Sequence, residues 1–377
     1  MSNLEVPINR ARLAQLLRKM INIYSPSGKE GDLIDFLEGW MKRRGLPVMR
    51  QKVDEDRDNL IIEPDDTEPT LVFVGHLDTV EAFDLDRYSY ERDGDTVWGL
   101  GAADMKGGCA AMIEAFVSLW EQGHRDLPVA LALVVGEEDT GDGARRLVRE
   151  YQFSHAIVGE PTGLAPCLSH HGYVEIQLVT EGTRMHASMA PRAKRAVDGM
   201  LHLLLAFASH LEVHHPEVIY NIRNLSSSDV GFATADRCEA YLDLHLPPRS
   251  PIGELTQSLE DLVREEQERR ELPKATLQLL TIDAGYELPE RSGLAQTLRE
   301  LYKERGRSFD PVSFRSHSDA NQLWNAGIRP VVLGPGDLSL AHTSEEAVSF
   351  NEVAEAAEIY ATLAAAMDES STISTNT

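Results

Sequence analysis

The sequence predicts an α/β fold in two parts: a larger domain with a twisted mixed sheet covered by helices, and a smaller α+β domain inserted into it. Short β-branched apolar runs alternate with helical patterns in the first half of the chain. That alternation breaks off near Gly172 and resumes near residue 286. The length, 377 residues, exceeds what one ordinary core accommodates.

The elements follow in order. An amphipathic helix over Ile8–Ile23 leads through a Ser-Pro-Ser-Gly break at Ser25–Gly28 to a second helix over Glu30–Arg44. The runs Leu71–Val74, Ala130–Val135, Ala156–Val158 and Pro330–Leu333 are short and apolar, as strands buried on both faces are. Helices over Gly108–Glu121 and Gly143–Tyr151 separate the earlier runs. The insert opens with the alternating strand YVEIQLVTEG. A helix over Ala196–Ser209, a strand over Glu239–Leu246, a helix over Ile252–Glu271 and a strand over Ala275–Thr281 then give the order β-α-β-α-β. The expected boundaries are 1–170 with 286–377 for the larger domain and 171–285 for the insert. A helix over Asn351–Met367 closes the fold, and DESSTISTNT reads as a frayed polar tail.

Composition excludes several classes. With 42% hydrophobic and 26% charged residues the chain is globular rather than disordered. A formal charge of -25 repels phosphate backbones and anionic lipid, which argues against nucleic-acid and membrane-surface roles. No apolar run approaches a membrane span, and charge interrupts the start MSNLEVPINRARLAQLLRKM, unlike a secretory signal, so a cytoplasmic location is expected. Cys109, Cys167 and Cys238 lack metal-knuckle spacing and read as reduced thiols.

The chemistry gathers at strand ends. LVFVGHLD, LALVVGEED, AIVGEP and VVLGPG each end an apolar run in a glycine followed by a metal-type side chain or a loop leading to one. Open α/β sheets keep their functional crevice outside the carboxyl ends of the strands. His76, Asp78, Glu137, Glu138 and Glu160 are therefore expected in one cleft, with Asp104 just before a helix and His342 a few residues past a strand. Singly, each has an ordinary structural reading, such as a helix N-cap for Asp104. Together, converging carboxylates must repel or protonate unless cations neutralise them. Two Zn²⁺ ions would bring Asp104, Glu138, Glu160 and one hydroxide close to neutrality, and imidazole mixed with carboxylate suits zinc.

Five motifs in this order, GHLDTV, GLGAADMKGG, GEED, GEP and AHTSEE, make the chain resemble the M20 metallopeptidases over nearly its whole length. The resemblance implies two Zn²⁺ ions, with Co²⁺ or Mn²⁺ as substitutes, held by His76, Asp104, Glu138, Glu160 and His342, Asp104 bridging. It implies Asp78 orienting the His76 ring, Glu137 as general base in metal-assisted hydrolysis, and an insert that forms a homodimer. His186, in EGTRMHASMAP, would reach across that dimer to stabilise the oxyanion. The implied substrate is a small N-acyl amino acid. A carboxypeptidase or dipeptidase is the second reading, and a non-catalytic metal-binding protein of the same fold the third.

Two departures bear on substrate choice. Many members carry an Arg in the strand that here reads AYLDLHLPP, where this chain has His245, and an Asn where it has the serine-rich SSSDVGFATADRC. Arg315, in FRSHSDANQL, and the run Arg192–Arg195 are the candidate replacements for holding a substrate carboxylate. His170-His171 and His214-His215 are expected to be structural, and Cys109 a core residue.

Overall fold

The computed structural model describes residues 6–82, 88–229 and 231–369. It divides into two compact units, the first being Met1–Ser169, Leu288–Phe314 and Ser318–Thr377, the second His170–Glu287 with Arg315–His317. The short segment Arg315–His317 thus joins the second unit, although the sequence boundary at 286 groups it with the first. Beyond Glu369 the expected polar tail lies outside the described residues.

The first unit begins with helices α1 (Arg10–Asn22) and α2 (Gly31–Lys42), then strands β1 (Val48–Lys52), β2 (Asp58–Ile62) and β3 (Leu71–His76). A hairpin of β4 (Glu91–Asp93) and β5 (Thr96–Trp98) precedes α3 (Gly107–Glu121), β6 (Val129–Val134), α4 (Asp142–Glu150), β7 (His155–Val158) and β8 (Cys167–His170). The second unit holds β9 (Gly172–Glu181), α5 (Ala196–His214), β10 (Ile219–Ser227), β11 (Arg237–Leu246), α6 (Ile252–Arg270), β12 (Lys274–Asp283) and β13 (Tyr286–Glu287). The chain returns to the first unit through α7 (Gly293–Glu304), β14 (Val312–Phe314), α8 (Asp319–Asn325), β15 (Arg329–Val332), β16 (Ala347–Ser349) and α9 (Phe350–Glu369).

The central sheet of the first unit runs β1-β2-β6-β3-β7-β15-β8. Its middle strands β6, β3, β7 and β15 pair in parallel, while β1, β2 and β8 pair antiparallel, so the sheet is mixed. Every residue of β3 and β6 is buried, which is why these strands read as unbroken apolar runs. α3 packs against α9 and also touches β3 and β6, and its apolar residues are buried nearly all round. The parallel strands all point the same way, so the loops that leave their carboxyl ends collect on one edge.

The second unit is an antiparallel sheet, β10-β11-β9-β12, with α5 and α6 packed on it. In β9 buried positions alternate with half-exposed ones, and Val174, Ile176 and Leu178 join Met200, Phe207, Leu242 and Leu259 in its core. The observed order is β-α-β-β-α-β, so the predicted insert lacked one strand. β10 is that strand, an edge whose residues are almost all exposed, and it offers no buried face for a hydrophobic period to mark. α5 is long and apolar enough to cross a membrane by length and composition. This differs from the expectation that no apolar run approaches a membrane span. Its buried face, Met200, Leu203, Phe207 and Leu211, belongs to the core of the unit.

Candidate active site

His76 is the last residue of β3 and is 1% exposed. Its Nδ1 lies 3.0 Å from the backbone carbonyl of Asp78, an arrangement that turns Nε2 toward the cleft. Nε2 is 3.1 Å from Asp104 Oδ1, 3.7 Å from Glu160 Oε1 and 4.0 Å from Glu137 Oε2. Asp104 sits in the kinked segment Ala102–Lys106 that leads into α3. Its other oxygen, Oδ2, is 3.4 Å from His342 Nε2, which is itself 3.0 Å from Glu138 Oε1. His342 adopts a left-handed backbone conformation in the loop between β15 and β16.

Three groups of possible ligand atoms, each within 4.8 Å of one another, result: His76 with Asp104 and Glu160, His76 with Glu137 and Glu138, and Asp104 with Glu138 and His342. Asp104 belongs to two of them, one oxygen toward each. Asp78 lies beneath the cluster, fully buried. Its carboxylate accepts from the backbone N–H of Glu137 (3.2 Å) and of Glu138 (3.0 Å) and from Ser27 Oγ (2.6 Å), and Oδ1 is 3.7 Å from His76 Nδ1. The Asp78 side chain therefore anchors the Glu137-Glu138 turn directly, while its main chain makes the shorter contact to the imidazole.

The electrostatics are those of a site short of positive charge. Burial, then the Asp104 charge, pushes Glu160 well above the usual carboxylate range and Glu138 up to about 8. Asp104 is held far below its ordinary value, against the effect of burial, by hydrogen bonds from His342 and His76. Hydrogen bonds to Asp104 and Glu138 push His342 up to about 11. The carboxylates thus coexist only by keeping or borrowing protons, and cations remove that need. Glu160 Oε1 is buried without a hydrogen-bond partner, as an atom intended for a metal would be. The donor set of imidazole nitrogens and carboxylate oxygens fits Zn²⁺ or a similar ion.

The remaining sequence-derived candidates lie in the second unit. His186 is exposed at the start of a short turn, Ala187–Met189, with Nδ1 2.8 Å from Ser188 Oγ. His245 is half-buried on β11, its ring 5.4 Å from that of Tyr173 and its Nδ1 buried without a partner, and burial lowers its pKa. Arg315 is exposed, and burial, with the charges of His245 and Arg315 added, lowers the neighbouring His171 to about 4. Two residues that sequence reasoning passed over also belong to the site's scaffold: Ser27, from the break before α2, and Glu346, the last residue of the AHTSEE motif.

A mixed α/β sheet carries an imidazole-carboxylate cluster at the ends of its parallel strands, and the family to which the chain belongs makes it an enzyme acting on amides. The model of Peptidase family M20/M25/M40 matches residues 72–366, and the chain belongs to that family. Among curated relatives, acetylornithine deacetylase of Vibrio cholerae is 27% identical over 333 residues, 83% of this chain and 85% of that protein. A [LysW]-lysine/[LysW]-ornithine hydrolase of Saccharolobus solfataricus is 24% identical over 354 residues, 93% and 94% of the two chains. Among solved structures, a Staphylococcus aureus tripeptidase superposes with a TM-score of 0.77 at 20% identity, covering 95% of this chain and 99% of its own. A dinuclear metal-binding peptidase of the M20 family from Bacillus subtilis gives 0.68 at 13% identity, over 96% and 98%.

Proposed function

We propose that this chain is a dinuclear zinc hydrolase that cleaves the amide bond of a small N-acyl amino acid, acting in the cytoplasm as a homodimer. The observation that carries the reading is the position of Asp104, one oxygen toward His76 and the other toward His342. His76, Asp104 and Glu160 would hold one ion and Asp104, Glu138 and His342 the other. Supporting it are the acetylornithine deacetylases among the relatives and the dinuclear metal named for the Bacillus subtilis neighbour.

When bound, such ions acidify a water molecule and polarise the substrate carbonyl. Glu137 is the proton carrier: its carboxylate stands at the edge of the cluster, and its backbone is tied down by Asp78. It takes the proton from the attacking water and gives it to the departing amine. Glu138, its neighbour, is drawn into the group with His342, so adjacent glutamates have separate tasks. His186 would be supplied by the partner copy as an oxyanion donor, and Arg315 with His245 would hold the substrate carboxylate.

The dimer reading is favoured by apolar side chains left on the surface of the second unit. Leu205 is 70% exposed, and Leu201, Val213, Ile219, Ile222 and Leu225 are exposed on α5, on β10 and at its start.

The experiment is Glu137→Gln, assayed on N-acetylornithine, other N-acyl amino acids and dipeptides, with metal content measured alongside. Turnover should fall by roughly 10²–10⁴-fold while the metal stays bound. Full activity in the variant would remove Glu137 from its role, and a wild-type preference for dipeptides would replace the deacylase reading with a dipeptidase one.

A further inference from the structure

We propose that Glu346 is the positioning residue that fixes Asp104 between the two halves of the site; this rests on the metal-centre reading above. Glu346 is 4% exposed and stands between His342 and β16. Its main chain is already tied to the segment that leads to Asp104, because Gly99 N–H donates to its carbonyl (3.3 Å) and β16 pairs with β5, Ala347 opposite Trp98. The side chain then closes the same gap a second time. Oε2 accepts from Gly101 N–H at 2.9 Å, and Oε1 accepts from Ala103 N–H and Asp104 N–H, both at 3.0 Å.

Three backbone donors from one short segment converge on one carboxylate, the arrangement by which a curled backbone binds an anion. The segment can curl so tightly because Gly101 takes a positive φ of 77°, and a Cβ there would lie 2.7 Å from Thr79 Cγ2. Buried Lys106, in the same segment, donates to the carbonyls of Met20 (3.1 Å) and Ile23 (3.0 Å) and so ties it to the end of α1.

The consequence falls on Asp104. Its own N–H is one of the three, so the backbone that carries the shared carboxylate is held by Glu346 while the side chain is left to face His76 and His342. Because the same residue is continuous with the His342 loop, it sets Asp104 and His342 in one register. A glutamine could not do this, since three N–H donors meet two carboxylate oxygens and an amide would turn its NH₂ against at least one of them. Glu346 acts through the Asp104 main chain, by its hydrogen bond to the Asp104 N–H.

The test is Glu346→Gln in the full-length protein, stripped of metal and titrated with Zn²⁺ against a chromophoric chelator, then with Co²⁺ monitored by its visible absorption. The variant is expected to bind at least one ion about 10–100-fold more weakly and to change the Co²⁺ spectrum. Glu346→Asp, one methylene short, should behave the same way. Wild-type affinity and spectrum in both variants would overturn the proposal. Hydrogen exchange on the unaltered chain gives an independent reading should the variants not fold: the Gly101, Ala103 and Asp104 amides must exchange slowly, and rapid exchange at all three refutes the clamp. A wild-type protein that takes up no metal but protects these amides would instead fault the metal-centre reading alone.

Discussion

Gly108→Ala puts the architecture beneath the site under the sharpest strain. Gly108 lies in the first turn of α3, and a Cβ built there would sit 2.2 Å from the carbonyl oxygen of Gly159 and 3.1 Å from its carbon. Ordinary contact begins at 3.4 Å, so helix and strand end must part by about 1 Å. Gly159 cannot retreat, because Gly334 presses on it from after β15; a Cβ on Gly334 would meet the same oxygen at 2.2 Å and the Glu160 carbonyl at 2.5 Å. The displacement therefore passes to Glu160, the next residue. Overpacking of this kind costs about 1–3 kcal/mol, and a shift of about 1 Å in a reacting geometry lowers the rate roughly 10²-fold. Thermal denaturation, zinc affinity and kcat/KM on an N-acyl amino acid should all fall in this one variant. Wild-type values of the latter two would refute the reasoning that α3 and the Glu160 turn are in rigid contact.

Three further outcomes are expected. Burial lowers fully buried His170 from 6.5 to about 3, so the unfolded chain binds more protons between those values and stability is lost as pH falls from 6.5 toward 3. His170→Gln should flatten that loss by up to about 1.4 kcal/mol per pH unit in urea denaturation series, whereas parallel curves would exclude His170 as the cause. Leu205→Asp with Ile222→Asp should convert a dimer to a monomer in sedimentation equilibrium, and an unchanged mass would place any interface elsewhere. Arg315→Ala should raise KM roughly tenfold with a smaller effect on kcat if it binds the substrate carboxylate, and an unchanged KM removes it from recognition.

The legibility of this sequence follows burial. β3, β6, β7 and β15 could be placed within a residue or two because strands buried in a parallel sheet must be apolar throughout. His76 and Glu138 stood out because each follows such a run after a glycine, whereas Glu160 leaned more on the family pattern, and the glycines are there for packing: a Cβ on Gly75 would meet Cys109 Sγ at 2.6 Å. β10 was hidden by its exposure, and the last turn of α5, with His210, Glu212 and His214, by its polarity. Glu346 was hidden for another reason. Its partners are backbone N–H groups, which every residue but proline carries, so no side-chain pattern announces them. Arg315 was assigned to the wrong side of a linear boundary because Arg315–His317 joins the second unit by contacts distant in sequence, such as His317 Nε2 to Asp283 Oδ2 at 2.9 Å.

If Asp104 is shared by two metal ions, amide hydrolysis depends on both. The most direct measurement is metal analysis of the purified chain during stepwise zinc restoration, with hydrolysis of N-acetylornithine and related N-acyl amino acids followed at each step. Two zinc ions per chain, activity abolished by chelation and recovery on refilling are expected. A chain that hydrolyses these amides at full rate without metal, or that takes up a single ion and gains nothing from a second, would contradict that dependence.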